Sequence, residues 1–470
     1  MILHGNNIDL MRDLDSNSID AIVTDAPYGL GKEPDATAML HAWVTKGHLE
    51  VKGGGFMGKE WDSFVPQPQF WKEAFRVLKP GGHVVCFFGT RTYDWGVMAM
   101  RLAGFEIRDM VSWVFGSGFP KSLNISKAID KEAGLDRESG YIPVKRNQIF
   151  GDGKGKQAGI DRTPGVNLSG IPASTESEYY DGWGTALKPA VEPIVLARKP
   201  IEKGLTVAQN TLKYGTGGLN IDACRVGSEG GTKKVNTNEC YDGNGIYGNG
   251  LSGGVCNEIN KGRFPANLIH DGSEEAIGGF PMTSSGKPGL SGYNRKGTIG
   301  GNGTYCGGVG MPTYNHGDEG SASRYFYCAK ASQAERNVGM SHFSETEMGR
   351  NQSSLDGGAM LTGSGNPRSN AKKNFHPTVK PVALMAWLVR LVTPIDGICL
   401  DPFAGSGTTG MACELQGYKY ILMEMTDEYI PIIEARIQAC KDGLIKLDHE
   451  KRKTKVSKPK PKDNNQQTLF

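Results

Sequence analysis

Short, mainly apolar runs alternate with amphipathic segments over the first 115 positions of the chain. The runs Ile19–Val23, His83–Phe88 and Val111–Phe115 are typical of strands in a buried sheet. Phe70–Leu78 and Trp95–Leu102, which lie between them, have apolar residues at helical spacing. Strands that alternate with helices predict an α/β fold with a doubly wound parallel sheet.

This alternation weakens in the middle of the chain and returns near its end. Residues 137–180 are polar and contain several glycines, which predicts an insertion, and Pro193–Ala197 predicts a further strand. Residues 201–370 have short apolar islands among Gly, Asn, Ser and Thr, a composition typical of loops on a small scaffold. Helical spacing resumes at Val379–Leu391.

A glycine-rich turn follows this last predicted helix. The apolar run Gly397–Leu400 predicts a strand, and three glycines lie in the next ten residues, Asp401–Gly410. A strand, a glycine turn and a helix form the arrangement that lets a nucleotide-like ligand approach the backbone closely. No Lys-Ser/Thr pair follows the glycines, so a Walker phosphate loop is excluded. The next predicted strand ends in Glu424, where a carboxylate can accept hydrogen bonds from ribose hydroxyls.

A second candidate site lies far upstream, in the stretch Ile22–Gly29. There an apolar strand leads into Asp25, then into the rigid Ala26-Pro27 turn and the ring of Tyr28. Asp and Pro are common in turns, so a plain strand-ending turn is the alternative interpretation of this stretch taken alone.

Together with His376–Pro381, these two stretches resemble the β group of amino-methylating DNA methyltransferases. That family transfers a methyl group from S-adenosylmethionine to adenine N6 or cytosine N4. The resemblance implies a permuted Rossmann-like S-adenosylmethionine-dependent methyltransferase sheet with a large inserted target-recognition region. The permutation is indicated by the order of the motifs, because the catalytic tetrad comes first and the cofactor glycines come last.

The resemblance assigns catalysis to Asp25, Ala26, Pro27 and Tyr28. An exocyclic amine is a poor nucleophile, so acceptors must hold its N–H bonds while the nitrogen moves toward sp3 geometry. Asp25 and the carbonyl of Ala26 can supply them, Pro27 fixes φ, and Tyr28 offers a face for a flipped base. The family usually has Pro where this chain has Ala26; the carbonyl is retained, and Ala leaves more backbone freedom at this position.

The cofactor site implied by the resemblance has two parts, and no metal is required. Lys380 and Pro381 match the segment that closes over the methionine end, although a solvated lysine at a helix start is an alternative. His376 suggests general-base or metal chemistry, or equally a structural histidine. The glycine loop and the ribose acid are matched by Asp401, Phe403, Ala404, Gly405, Ser406, Gly407, Thr408 and Glu424.

These motifs divide the chain into four parts. Residues 1–200 are predicted to form the catalytic half, with an irregular loop at 32–64 and the insertion at 137–180. Residues 201–370 are predicted to form the target-recognition region, and residues 371–446 the cofactor-binding half. Residues 447–470 form a basic tail that cannot bury a core.

Double-stranded DNA is the partner that the resemblance implies, and several residues are candidates to contact it. Trp113, Phe115 and Phe119–Ser122 are candidates for a base pocket, although aromatic runs beside strands more often form core. For the scattered basic residues the ordinary alternative is a solvated face. They are Lys121, Lys127 and Lys131 for phosphates, and Arg263, Arg324, Lys330 and Arg336 for bases or backbone.

The net charge of the chain does not by itself predict a nucleic-acid or membrane partner, because 53 Lys and Arg residues nearly balance 50 Asp and Glu residues. The tail from Lys451 to Lys462 is basic and is predicted to hold DNA non-specifically. Gln466–Phe470 resembles the Gln-x-x-Leu-Phe peptide that bacterial replication proteins insert into the sliding clamp, although a chance match is an alternative.

Nine cysteines without a Cys-x-x-Cys pair favour reduced thiols in a cytoplasmic protein, and no apolar run reaches the ~18 residues of a membrane span.

Asp at the first position of the tetrad is commoner in adenine methylases, whereas cytosine-N4 enzymes more often have Ser there, so adenine is favoured. Two alternatives stay open from the sequence. One is a cytosine-N4 methyltransferase, and the other is a DNA-binding protein that keeps the cofactor fold with weak or no turnover.

Overall fold

The computed structural model describes the chain in segments, and everything below concerns these. They are residues 1–31, 33–51, 62–118, 122–137, 141–143, 165–167, 171–227, 262–284, 289–291, 313–315, 319–329, 333–343, 346–347 and 371–447.

The described residues form strands and helices that are numbered here in chain order. The strands are β1 (Ile2–His4), β2 (Ile19–Asp25), β3 (Leu78–Phe87), β4 (Glu106–Val114), β5 (Tyr141–Pro143), β6 (Gly165–Asn167), β7 (Val191–Arg198), β8 (Leu268–His270), β9 (Met282–Ser284), β10 (Gly289–Ser291), β11 (Thr313–Asn315), β12 (Glu319–Ser321), β13 (Tyr327–Cys328), β14 (Thr346–Glu347), β15 (Ala371–Lys372), β16 (Ile398–Asp401) and β17 (Lys419–Glu424). The helices are α1 (Asn7–Arg12), α2 (Ala36–Thr45), α3 (Pro68–Val77), α4 (Tyr93–Leu102), α5 (Ile125–Glu132), α6 (Thr175–Tyr179), α7 (Val207–Tyr214), α8 (Glu274–Ile277), α9 (Gln333–Arg336), α10 (Val382–Val392), α11 (Thr408–Glu414) and α12 (Ile430–Lys441).

Nine strands form one sheet in the order β1-β17-β16-β2-β3-β7-β4-β8-β13. The strands from β1 to β3 in this order are all parallel, β7 is antiparallel to both β3 and β4, and β8 and β13 continue in parallel from β4. The permuted Rossmann-like sheet is confirmed, because the strands from the two ends of the chain, β16 and β2, lie side by side. The sheet is mostly parallel, and β7 departs from the parallel arrangement.

The chain divides into two compact units. The first, Met1–Phe115 with Val191–Phe470, contains the nine-stranded sheet. The second, Gly116–Ala190, contains α5 and α6, and it includes the predicted insertion 137–180. Inside the second unit, Arg137 donates to Asp130 at 2.6 Å, and Asp130 also accepts from the hydroxyl of Ser174.

Helices cover both faces of the main sheet. On one face, α3 buries Trp71, Ala74 and Val77 in a cluster that continues through Ile22 and Val84. On the other face lies α10, where nearly every residue from Val382 to Val392 is buried against Val23, Val85 and Ile194. An almost wholly apolar helix is expected where both neighbouring layers are protein.

The prediction of an irregular loop over residues 32–64 is wrong for Ala36–Thr45, which form α2. Asp35 caps the helix by accepting from the amide of Ala38, and Met39 and Trp43 are buried at helical spacing. The glycines at 53–55, on which the loop prediction rested, lie outside the described residues.

Candidate active site

The two stretches singled out in the sequence meet at neighbouring strand ends. Asp25 is the last residue of β2, and Asp401 is the last residue of β16, the adjacent parallel strand. From β16 the chain proceeds through α11 to β17 on one side, whereas from β2 it proceeds to β3 on the other. The carboxyl ends of β2 and β16 therefore form the topological switch point of the sheet, the usual position of a ligand crevice.

The turn after β2 is held by two side chains on its flanks. Asp62 Oδ1 accepts from the backbone amides of Tyr28 and Gly29, at 2.8 and 3.0 Å. The hydroxyl of Thr92 donates to the carbonyl of Tyr28. Ala26 is itself buried in the core. These contacts restrict the turn, so the backbone freedom expected from Ala26 is limited by its surroundings.

A buried ion cluster lies beside this turn. The ammonium of Lys380 is 2.8 Å from Asp25 Oδ2 and 3.2 Å from Glu192 Oε2, and the three side chains are 6%, 17% and 21% exposed. Glu192 Oε2 also accepts from the hydroxyl of Tyr28 at 3.0 Å. The ammonium lies over the rings of Tyr28 and Phe87, 5.2 and 5.0 Å from their centroids.

Charge balance in this cluster favours an ionised lysine. Burial alone would lower the pKa of Lys380, but the adjacent charges of Asp25 and Glu192 raise it above its ordinary value. Burial also raises the pKa of Tyr28, so its hydroxyl stays protonated and donates to Glu192. The alternative of a solvated lysine at the helix start is excluded.

One oxygen of Asp25 remains for a ligand. Asp25 Oδ2 contacts Lys380, whereas Asp25 Oδ1 is buried and has no hydrogen-bond partner among the described residues. A buried carboxylate oxygen without a partner is costly, which favours a donor supplied from outside the chain.

Asp401, predicted in the cofactor loop, directs its carboxylate into the protein. Its oxygens accept from the hydroxyls of Thr24 (2.6 Å) and Thr409 and from the amide of Phe403 (3.1 Å). Burial raises the pKa of Asp401 to about 6. The residue thus joins the glycine loop to the strand that carries Asp25.

The side chains of the glycine loop also point inward. The buried Arg436 of α12 donates to the carbonyl and hydroxyl oxygens of Ser406 and to the hydroxyl of Thr408. Phe403 packs on Phe70, with centroids 4.9 Å apart, and Ala404 is buried. The loop is therefore braced from behind, and a ligand in front of it would meet mainly backbone.

The glycines of the loop are required by protein packing. Gly405 has φ +53°, and a Cβ there would come within 2.7 Å of the His376 ring, whereas a Cβ at Gly407, with φ +75°, would meet Ile433 at 2.9 Å. The His376 ring is hydrogen-bonded to the carbonyl of Thr378, and burial lowers the pKa of His376 to about 4. His376 is therefore a neutral packing residue of the loop.

Glu424 lies next to the loop at the end of β17. Its two oxygens accept from the amides of Gly405 and Thr426, each at 2.8 Å. These bonds orient the carboxylate and leave it further lone pairs for hydroxyl donors. The Gly5–Asn7 turn is adjacent, because Gly5 donates to the carbonyl of Glu424 and the Asn7 amide donates to the carbonyl of Pro402.

Trp113, a candidate for the base pocket, lies at the same sheet edge. It pairs with Glu192 across β4 and β7, its ring is 5.0 Å from Phe115, and its buried indole N–H has no hydrogen-bond partner among the described residues. The remaining pocket candidates, 119–121, lie outside the described part of the chain, and Ser122 lies in the second unit.

The candidate arginines for DNA contact have structural partners. Arg324 donates to Thr283 and to the carbonyls of Gly320 and Ser321. Arg336 donates to the carbonyls of Asn374 and His376, and so supports the segment before Lys380. Arg263 lies over the ring of Tyr325. Lys127 and Lys131 belong to the second unit. Lys330 and residues 448–470 of the tail, which include the clamp-like peptide, are outside the described residues.

Four residues of the site are absent from the site predicted from the sequence: Asp62, Thr92, Glu192 and Arg436. Glu192 is the most consequential, since it shares Lys380 with Asp25. A sequence signal for Glu192 exists, because it ends the segment Gly184–Glu192, which resembles the methylase family. Because β7 is antiparallel, its first residues lie at the edge where β2 and β16 end. A parallel β7 would place Glu192 at the opposite edge.

The profile of the DNA methylase family, which groups N6 and N4 methyltransferases, matches residues 19–214 and 307–435. These segments include well over half of the sequence, so the chain belongs to this family. The order of its motifs places it in the β group.

Individual relatives cover smaller parts. The chain is 26% identical over 237 residues to the type II methyltransferase M.HindIII of Haemophilus influenzae, a match to 47% of this chain and 64% of that protein. It is 36% identical over 76 residues to the type II methyltransferase M.ScaI of Streptomyces caespitosus, covering 16% of this chain and 25% of M.ScaI. The chain thus spans less than two thirds of the length of these curated relatives.

Among solved structures, a structural match was found to a complex of M1.HpyAVI with SAM, at 13% identity and a TM-score of 0.32; the match covers 93% of this chain and 98% of that one. Another is the cytosine-N4-specific PvuII DNA methyltransferase, at 13% identity and a TM-score of 0.39, covering 94% and 89%.

The described residues contain no group of three or more His, Cys, Asp or Glu side chains arranged to hold a metal ion. None of their helices has the length and apolar character needed to cross a bilayer.

Proposed function

We propose that this protein is a DNA methyltransferase that moves a methyl group from S-adenosylmethionine to the exocyclic N6 of a flipped adenine in duplex DNA. The observation that carries the proposal is the buried, unpartnered Oδ1 of Asp25 at the switch point of a DNA methylase sheet. Membership of the DNA methylase family supports the reaction class.

Asp25 and the Ala26 carbonyl are proposed to act on the target amine. Asp25 Oδ1 accepts one N–H bond and the Ala26 carbonyl accepts the other, which frees the nitrogen lone pair from the ring. The nitrogen bonds to the methyl carbon, the carbon–sulfur bond breaks with its electrons left on sulfur, and one N–H proton leaves toward the carboxylate that holds it. Tyr28, fixed by Asp62, Thr92 and Glu192, provides the face on which the base stacks.

S-adenosylmethionine supplies a methyl group already activated on a sulfonium. Glu424 has the lone pairs and orientation for the ribose hydroxyls, and the braced backbone of the loop 401–408 provides a preformed wall. Lys380 is proposed to belong to the catalytic cluster, rather than to the methionine end as predicted, because its ammonium contacts Asp25. Pro381 remains a candidate for the methionine end.

Adenine is preferred to cytosine as the target because Asp25 occupies the first tetrad position. The test is mass spectrometry of nucleosides from unmethylated DNA incubated with the protein and S-adenosylmethionine. N6-methyladenine is expected, and it should vanish in Asp25→Ala. N4-methylcytosine would show that the target base is cytosine instead of adenine, and the proposed methyl transfer to an exocyclic amine would stand. Cofactor binding without any methylated base would favour the competing reading, a DNA-binding protein without turnover.

A contact between Gln466–Phe470 and the sliding clamp stays a separate prediction, made from sequence alone. Deletion of these five residues should abolish binding to immobilised clamp and leave methylation of short duplexes unchanged. Equal clamp binding by both forms would refute it.

A further inference from the structure

The ion cluster around Lys380 contains more negative than positive charge. Two carboxylates, Asp25 and Glu192, share one ammonium, so the three groups carry a formal charge of −1. No second Lys or Arg forms an ion pair with either carboxylate among the described residues. Tyr28, the fourth member, is neutral and donates its hydroxyl to Glu192.

Among the described residues, the groups around the cluster do not supply a second cation to it. Asp401, one strand away, is bonded to Thr24. The neighbouring His376 is buried and neutral, since its pKa is lowered to about 4. The arginines near this region are turned to the protein, because Arg436 is bonded to Ser406 and Arg336 to the carbonyl of His376.

We propose that Glu192 is a positioning residue whose charge makes the site bind the sulfonium form of the cofactor in preference to its neutral, demethylated product. The inference rests on the function proposed above. Asp25 and Lys380 alone would form a neutral pair, so Glu192 supplies the uncompensated charge. The methyl-bearing sulfur must come beside the amine that Asp25 holds, and its positive charge therefore meets this cluster.

Transfer of the methyl group removes the positive charge from sulfur. The cluster is then left with an unmatched negative charge in a largely buried site, where charge interactions are only weakly screened. The product is consequently held less tightly than the cofactor, and its release is favoured. Glu192 also fixes Lys380 and the Tyr28 hydroxyl, so the same side chain connects the geometry of the turn to cofactor choice.

The test is calorimetric measurement of Kd for S-adenosylmethionine and for S-adenosylhomocysteine, which differ in the methyl group and its charge. Glu192→Gln is nearly isosteric and removes only the charge. We expect its affinity for S-adenosylmethionine to fall on the order of tenfold more than its affinity for S-adenosylhomocysteine. Glu192→Asp keeps the charge but shortens the side chain, so it should retain most of the preference while slowing methyl transfer.

Glu202→Gln is the matched control. Glu202 accepts from Lys213 and from the hydroxyl of Tyr214, which is the same Glu-Lys-Tyr arrangement away from the site. Its Kd ratio should equal that of the wild type. Parallel losses for both ligands in Glu192→Gln, or an equal loss of preference in Glu192→Asp, would overturn the role of the charge. A wild-type protein that binds neither ligand would instead overturn the proposed function.

Discussion

The ammonium group of Lys380 neutralises one of the two carboxylates that lie within 3.2 Å of it. Removal of this cation would leave Asp25 and Glu192 close together and largely buried without compensation. Loss of one partner from a buried ion cluster is far more costly than the net contribution of the pair, because the remaining charge keeps its desolvation penalty.

Lys380→Met is therefore expected to lower the free energy of unfolding by about 3–5 kcal/mol. Urea unfolding of the full chain measures the change. The control is Lys213→Met, which removes the ammonium from the exposed pair with Glu202 and should have a much smaller effect. Similar losses of the free energy of unfolding in the two variants would show that removing the cation from the Lys380 cluster costs no more than removing it from a surface pair.

Asp401 predicts a pH dependence of stability. Its pKa is raised by burial to about 6 from an ordinary 3.8, so the folded state favours the protonated acid. The stabilisation that this group gives is complete below about pH 4 and is lost as the pH rises through about 6, a change of up to ~3 kcal/mol.

Asp401→Asn cannot titrate, so its stability relative to wild type should improve by up to ~3 kcal/mol between pH 4 and pH 7. Any constant offset from altered bonds to Thr24 and Thr409 cancels in this comparison. Urea unfolding of both proteins at several pH values provides the measurement. A difference that stays constant over this range would contradict the assignment.

The glycine loop depends on close packing against the segment that precedes Lys380. Gly405→Ala would strain a backbone at φ +53° and would also drive a Cβ to 2.7 Å from the His376 ring. Gly417→Ala imposes a similar φ strain, at +75°, in open space. The difference between the two variants isolates the clash.

We expect Gly405→Ala to cost ~1–3 kcal/mol more than Gly417→Ala in urea unfolding, and to weaken cofactor binding. The double variant His376→Ala with Gly405→Ala should recover part of this cost, because the ring is no longer there. Strict additivity of the two changes would mean that the loop does not rest on His376.

Most elements around the site follow from local sequence patterns. The apolar runs predict β2, β3, β16 and β17, and helical spacing predicts α3, α4 and α10 within a few residues of their observed bounds. The spacing of Met39 and Trp43 fits the helix α2, but the glycines at 53–55 favour a loop for the whole stretch 32–64, so this helix is not predicted.

The direction of β7 shows a different limit. Its apolar run predicts a strand but not its orientation, which depends on the path of the chain through residues 116–190. Glu192 becomes part of the site only because β7 is antiparallel. Similarly, contacts such as Lys380 with Asp25 join residues 355 positions apart, and no local pattern indicates which carboxylate a lysine will meet.

The permuted order of the motifs is compatible with a single sheet because β16 and β2 pair directly. The two halves of the site come from opposite ends of the sequence. Without the other half, β2 or β16 would lack the neighbouring strand with which it pairs. Asp401 and Thr24 connect them by a buried hydrogen bond. The site therefore forms only when the long-range pairing of the sheet is complete, which makes ligand binding a reporter of global folding.

The charge of the molecule is distributed very unevenly along the sequence. The net charge is +3, but seven Lys and Arg residues lie between Lys451 and Lys462, a stretch without Asp or Glu, so the rest of the chain carries −4. A chain that is acidic apart from its tail has little general attraction for DNA phosphates. Non-specific affinity should consequently depend on the tail.

The variant that tests this idea has all seven basic residues of the tail replaced by Gln, which keeps the length and the Gln466–Phe470 peptide. Its Kd for a non-specific duplex should rise, and the slope of log K against log salt should become shallower by about 0.9 for each phosphate that the tail contacts. Fluorescence anisotropy between 50 and 200 mM salt resolves such a change. An unchanged slope would place the DNA-binding charge within residues 1–450, and the tail would then serve another purpose.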